Sequence, residues 1–462
     1  QFYVENRGGA GNIIGIEAVA RSPADGYTFL VGAGTIAMNH VVYRKLPYDL
    51  MRDLTPVTQL ISVPNMLVVH PSLPVKTLGE FIALAKAKPG QITYGSAGAG
   101  SNLHDPFGVH FCRAMADAGL FLMSVPRVLG GLEVDLPTQV QVVEEIGKAD
   151  ASTAWALNQG TTYGMYAAYM QPAAARHIWI ETPRAVVSNS PIPTAKAVVA
   201  PGGFRITANQ GFSTGCRHAS WVAAHAQVIE NGAVRQRNGK PEIRYCLVPK
   251  AQAKILDTWH TRGMRGTGTH HFEVNDVFVP EDHTVLTSKD KIITDGPRYR
   301  MPQTLVYASG DGIVALAVAR SCLNAFFELA GSKEPRHMKG LLRDQAMSQF
   351  IVGQAEASIR SGRAFLMEAV NDIWNDAKNK GEATIESRVS LRLATTHAIR
   401  LAVRLIEDIY TASGGNAIFE GNPIQRHFQD IHVITQHLQG RLAHYELAGS
   451  FLLGLPVDEG RL

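Results

Sequence analysis

The sequence predicts a multidomain fold in which an α/β segment precedes a helical, then a β-rich, then a second helical region. Three observations point that way. The chain has 462 residues, more than one ordinary core supports, so several folding units are expected. Short apolar runs bounded by glycine, proline and aspartate alternate with helix-like sequence over roughly the first hundred residues. Strand-length runs then fill the middle, and beyond Pro302 long helical periods carry almost no proline.

Taken in order, residues 27–31, 65–70 and 92–94 have strand character. Residues 78–88 are helical in pattern, with Thr77 and Glu80 at capping-box spacing and Pro89-Gly90 as the stop. The register changes near 104–114. A helix is predicted over 138–148, with Val140, Val143 and Ile146 on one face, and residues 144–155 close it and open another. A Pro/Ser-rich passage at 188–198 leads into strands beginning near Phe204, Ser220, Ile243 and Phe272. Helices are predicted over 311–330, 340–377 and 384–412. No internal repeat or low-complexity tract interrupts this order.

Composition narrows the function classes. Hydrophobic residues at 45% and charged residues at 18% are globular values. A net charge of +4 without a long run of one sign argues against nucleic acid, which calls for a basic stripe with interleaved aromatics. Cys112, Cys216, Cys246 and Cys322 are widely spaced and form no CxxC pair, so reduced thiols are expected rather than a metal site or disulfide framework. No apolar run approaches the ~20 residues of a membrane span, and no export signal opens the chain at Gln1, so a cytoplasmic, membrane-free protein is expected.

Two families are recognisable in the motifs. Residues 4–32 (VENRGGAGNIIGIEAVARSPADGYTFLVG), 45–90 and 92–104 (ITYGSAGAGSNLH) resemble the substrate-binding receptors of tripartite tricarboxylate transporters, periplasmic proteins of two lobes. That resemblance covers part of one lobe. It implies a carboxylate cradle of backbone N–H groups in the loop Gly95, Ser96, Ala97, Ser101 and Asn102. One jaw of a clamp does not exclude water from a ligand, so a plain glycine loop is the favoured reading.

Residues 210–221 (QGFSTGCRHASW), 263–282 (GMRGTGTHHFEVNDVFVPED) and 414–449 (GGNAIFEGNPIQRHFQDIHVITQHLQGRLAHYELAG) resemble the acyl-CoA dehydrogenase-like superfamily of flavin enzymes over about 112–462. The resemblance implies that Phe212 walls the flavin and that Ser213 or Thr214 bonds near its reactive ring nitrogen. Arg265 and Thr267 are candidate donors, and Gly414-Gly415 is the pair that meets a neighbouring subunit's flavin. Glu420 stands where the dehydrogenases keep the base that removes a proton α to a thioester. Gly415 runs almost directly into IFEG, however, a compression typical of the two-component flavin monooxygenase branch. In that branch a histidine at the position of His437 lies near the flavin, suited either to hydrogen-bonding the oxygen adduct or to assisting deprotonation of a phenolic substrate. His432 and His437, read as one helix, stand at i, i+5 and do not share a face, so a common metal is not expected.

The implied architecture is a truncated α/β lobe (1–104), a truncated helical domain (105–190), a β-barrel-like middle domain (191–298) and a C-terminal four-helix bundle (299–462). The implied activity is hydroxylation of an aromatic or related small molecule by O₂ and reduced FAD or FMN from a flavin reductase, in a homotetramer. Two alternatives stand beside it: an acyl-CoA dehydrogenase with FAD and Glu420 as base, and a solute-binding fragment.

Overall fold

The computed structural model describes residues 13–31, 46–55, 57, 106–286, 292–419 and 421–461. The chain divides into two compact units, Gln1–His110 and Phe111–Leu462. In the first, α1 (Ile13–Ala20) buries Ile16, and the short α2 (Leu50–Asp53) is capped by Asp49, whose carboxylate accepts from Arg52 N at 3.1 Å. Residues 27–31, expected as a strand, have no regular structure. Tyr27, Phe29 and Val31 are all exposed, and β-propensity without a pairing neighbour does not make a strand. The strands at 65–70 and 92–94, the helix at 78–88 and the loop residues Gly95, Ser96, Ala97, Ser101 and Asn102 lie outside the described residues.

The second unit begins with helical segments. After α3 (Pro106–Asp117) come α4 (Leu136–Ala149) and α5 (Ala151–Thr162), set back to back by two aspartates. Asp135 caps α4 through Thr138 N at 2.7 Å, and Asp150 caps α5 through Thr153 N at 2.8 Å. The inward face of α4 carries Val140 and Val143, as the sequence predicts, with Ile146 partly buried against the same core and Leu136 and Gly147 extending the face. A Cβ on Gly147 would stand 2.8 Å from Ala317 Cβ, so its absence sets the close approach of the next long helix. A short α6 (Pro172–Arg176) leads to the strands.

The middle segment is one mixed sheet. Its main strands are β1 (Val187–Asn189), β2 (Ala195–Ala200), β3 (Gly203–Ser213), β4 (Trp221–Glu230), β5 (Ile243–Pro249), β6 (Lys254–Leu256), β7 (His270–Pro280) and β8 (Thr284–Val285). The hydrogen-bonded order is β8–β5–β4–β2–β3–β7–β6, with β2 and β1 parallel to β4. Along β3 the burial alternates, turning Phe204, Ile206 and Ala208 inward against Phe272 and Val274 of β7. The path does not close among the described residues, so the expected barrel is an open sheet. Its end strands span two and three residues, too short to offer each other a ladder.

Three long helices follow: α7 (Gln303–Ser332), α8 (Ala346–Asn379) and α9 (Ile385–Ser413), then α10 (Pro423–Ile434) and α11 (Ala443–Leu452). The first three match the predicted helical stretches. The start of α8 is later than expected because Asp344 Oδ2 accepts from Leu341 N at 2.8 Å and ties 341–344 into a tight turn. Among the described residues α7 alone is long and apolar enough to cross a membrane. It is instead the core helix of this unit, packed by α4, α5, α8, α9 and α10.

Candidate active site

His437 leaves the helix on which the sequence placed it. Asn422 and Pro423 start α10, with Asn422 Oδ1 accepting from Ile424 N at 2.9 Å. The helix ends at Ile434, where Thr435 Oγ1 donates to His432 O at 2.6 Å. His437 then adopts extended backbone and opens a 3₁₀ turn, Leu438–Gly440. The two histidines therefore part company: His432 packs on Phe428 and stands 3.5 Å from Glu407.

The His437 imidazole faces a carboxylate. Its Nδ1 is buried and lies 3.2 Å from Asp311 Oδ2, at ion-pair distance though not aligned as a hydrogen bond. Asp311, on α7, is fully buried. Its Oδ1 accepts from Asn158 Nδ2 at 3.0 Å and from Gln159 Nε2 at 3.1 Å, both on α5. Asn158 Nδ2 also donates to Tyr307 O at 3.0 Å. A Cβ on Gly310 would stand 2.0 Å from Asn158 Oδ1, so glycine is what admits this bridge. Trp155 meets the His437 ring edge-on, with centroids 5.1 Å apart. The His437 side chain is 31% exposed while Nδ1 is not, so the rest of the ring is its accessible part. A carboxylate at this distance lies where it can offset positive charge on the ring.

The turn that holds the histidine is itself held by α9. Arg392, buried, donates to Gln439 Oε1, Thr396 Oγ1 donates to Gln439 O at 3.0 Å, and Arg400 Nε donates to Gly440 O at 2.8 Å. Burial pushes the Arg392 guanidinium down to about 10, and Asp311 opposes that push. Next to Asp311 lies a tyrosine cluster in which Tyr307 meets Tyr163 with centroids 5.5 Å apart and Tyr163 packs on Tyr166. Burial pushes the phenols of Tyr163, Tyr166 and Tyr307 well upward, so they stay neutral donors.

The second half of the site is a row of hydroxyls. Ser213 Oγ, fully buried at the end of β3, is 2.6 Å from Ser188 Oγ. Thr214 Oγ1 is 3.0 Å from Thr269 Oγ1, which is 2.7 Å from Thr267 Oγ1. Gly215 N donates to Thr267 O at 2.9 Å, so two strings far apart in sequence meet. Phe212 has φ of 58° and is 57% exposed, an outward aromatic beside the row. Arg265 is also exposed, on the 3₁₀ turn Arg265–Thr267.

The loop carrying Arg265 is wedged between two helices. A Cβ on Gly263 would stand 2.2 Å from Gln429 O of α10, and one on Gly266 would stand 3.1 Å from Ser152 Cβ of α5. Met264 N donates to Asp430 Oδ1 at 2.6 Å, and burial pushes the Asp430 carboxyl up to about 6. Helix α5 thus touches the loop through Ser152 and the histidine through Trp155, which joins the two halves. Gly414 and Gly415 sit elsewhere, exposed on the turn Gly414–Ile418 that packs on α9 and α10. Glu420 lies outside the described residues.

An exposed aromatic wall, the part-exposed Thr214 hydroxyl and an exposed guanidinium fit a planar heterocycle with an anionic tail, as a flavin is, whereas the Ser213 and Thr267 hydroxyls, expected to reach it, are buried and bonded within the row. Sequence reasoning missed Asp311, Trp155, Asn158, Gln159 and Asp430. One signal was available for the first: Asp311 is the sole charged side chain from Gln303 to Ala319.

Residues 101–176 match the acyl-CoA dehydrogenase N-terminal domain, and residues 309–441 match its C-terminal domain. Residues 1–130 match the tripartite tricarboxylate transporter family receptor. An indole-3-acetate monooxygenase of Pseudomonas putida is 29% identical over 351 residues, covering 75% of this chain and 88% of that protein. The oxygenase subunit HsaA of a flavin-dependent monooxygenase of Mycobacterium tuberculosis is 26% identical, covering 75% of this chain and 89% of that one. The crystal structure of XiaF from Streptomyces sp., in complex with FADH2 and glycerol, superposes with a TM-score of 0.68 at 24% identity, over 75% of this chain and 88% of XiaF. The chain therefore carries acyl-CoA dehydrogenase N- and C-terminal-type domains and is a homologue of the flavin-dependent monooxygenases.

Proposed function

We propose that this chain is the oxygenase component of a two-component monooxygenase that hydroxylates an aromatic or related small molecule, using O₂ and reduced FAD or FMN delivered by a flavin reductase. The observation that carries the reading is His437, half-exposed, backed by the buried Asp311 carboxylate and walled by Trp155. When bound, reduced flavin supplies the oxygen activation. Phe212 offers it a wall, Thr214 a hydroxyl and Arg265 a cation, while the buried Ser213 and Thr267 hydroxyls brace the row behind them. His437 takes the proton from a phenolic or indolic substrate, and Asp311 stabilises the imidazolium that results. Trp155 and the tyrosines keep that side of the site poor in water.

The reading extends to organisation. The proposed boundaries are 1–104, 105–190, 191–298 and 299–462, with α7 to α10 forming a four-helix bundle. In a cytoplasmic homotetramer, Gly414 and Gly415 on their exposed turn would serve a neighbouring subunit's flavin site. The alternative, acyl-CoA oxidation with Glu420 as base, is disfavoured by the short step from Gly415 to that glutamate. Two assays separate the readings. With NADH, a flavin reductase and candidate phenols or indoles, O₂-dependent hydroxylation is expected and His437→Asn lowers it at least 100-fold with flavin affinity unchanged. Bleaching of bound FAD by acyl-CoA thioesters that disappears in Glu420→Gln would overturn the proposal.

A further inference from the structure

A groove of about 380 Å³ is lined by Arg400, Val403 and Arg404 of α9 and by Leu442 and Tyr445 at α11. Arg400 and Arg404 stand one helical turn apart, and like charges at that spacing repel unless a counter-charge joins them. Neither forms an ion pair with a carboxylate among the described residues. Arg400 is no loose surface side chain. It is half-buried, and its Nε and Nη2 both donate to Gly440 O, so the guanidinium is oriented before any ligand arrives. Tyr445 is half-buried and lines the same groove as both guanidiniums. Val403 and Leu442 make the remaining wall apolar, and Leu442 is 61% exposed.

We propose that this groove binds a small organic carboxylate, with its head group on Arg400, Arg404 and the Tyr445 hydroxyl and its apolar body on Val403 and Leu442. A planar, pre-oriented guanidinium presents donors that match the two oxygens of a carboxylate. The apolar wall selects an organic acid over inorganic phosphate. The groove also has a route to the active site, because the carbonyl that Arg400 holds belongs to Gly440, the last residue of the turn that His437 opens. A carboxylate that draws on Arg400 competes with that carbonyl and loosens the turn. The ligand is therefore an effector of His437 rather than a substrate.

Calorimetric titration of the full chain tests this without flavin or turnover, so its outcome is independent of the proposed activity. Hexanoate is expected to bind saturably, with hexanamide and inorganic phosphate each at least tenfold weaker. Arg404→Gln, an exposed change, raises the hexanoate Kd at least tenfold with an unchanged melting temperature, whereas His437→Asn leaves it unaltered. Saturating hexanoate changes hydrogen exchange at the His437 Cε1 position in the unsubstituted chain but not in Arg404→Gln. Absence of saturable binding, equal binding of hexanamide or an unchanged Kd in Arg404→Gln would overturn the site. Tighter phosphate binding would overturn the organic-acid assignment, and unaltered exchange at His437 would overturn the coupling.

Discussion

A carboxylate 3.2 Å from an imidazole nitrogen changes what that imidazole can do. Asp311 stands against Nδ1 of the His437 ring, where its charge can offset the one the ring gains on taking a proton. Asp311→Asn keeps the shape and removes the charge, so turnover is expected to fall by roughly 10- to 1000-fold with flavin affinity unchanged. Product formation against flavin titration in the same variant checks this, and an equal loss of both would point to misfolding. Asp430 makes a second prediction. Its folded value near 6 lies above the ordinary carboxyl value of 3.8, so the unfolded chain releases its proton first as pH rises. The stability this neutral acid contributes is complete below about pH 4 and is lost as pH passes 6. Asp430→Asn still accepts from Met264 N without a charge. Its melting temperature should equal that of the unsubstituted chain at pH 4 and exceed it at pH 7, by the equivalent of about 1–3 kcal/mol. Of these residues only His437 was legible in the sequence. Asp311 sits in an apolar run where nothing local says what it faces, because its partner arrives from the far end of the chain.

Helices bring those partners together, and small residues set how closely. Gly310 on α7 lets Asn158 of α5 lie against the helix backbone, where its amide reaches both Tyr307 O and Asp311. Gly310→Ala would drive a Cβ into that amide. Overpacking of this kind costs about 1–3 kcal/mol, and here it also frees one of the two donors on Asp311. Thermal denaturation should show the loss, and turnover should fall more than the lowered stability explains. At this scale the helices were easy to read: long periodic stretches without proline became α7, α8 and α9. Where α10 stops was not readable. Residues 435–437 have no glycine or proline to end a helix, and it is Thr435 bonding back to His432 O, with α9 gripping Gln439 and Gly440, that turns the chain.

The whole molecule is two units, and Phe111–Leu462 contains the main hydrophobic cluster, which draws on α4, α5 and α7 to α10. Limited proteolysis is expected to leave a stable fragment beginning near residue 111 whose melting temperature matches that of the main transition of the full chain. Cleavage that destroys the transition would show that the first unit supports the second. Two imidazoles, the partly buried His225 and the buried His427, are each pushed down to about 4 by the loss of solvent around them. Below pH 6.5 the unfolded chain protonates both while the folded one does not, so stability should fall as pH drops toward 4, outweighing the opposite drift from Asp430. By itself the sequence determined the long helices and main strands of the second unit, the two families it resembles and the residue types a flavin needs. Those are local matters, set by periodicity, capping and short motifs. The tertiary structure decided that the sheet stays open, that His437 and His432 separate, and that a lone aspartate backs the histidine. Each depends on contacts between residues distant in the chain, which no local pattern records.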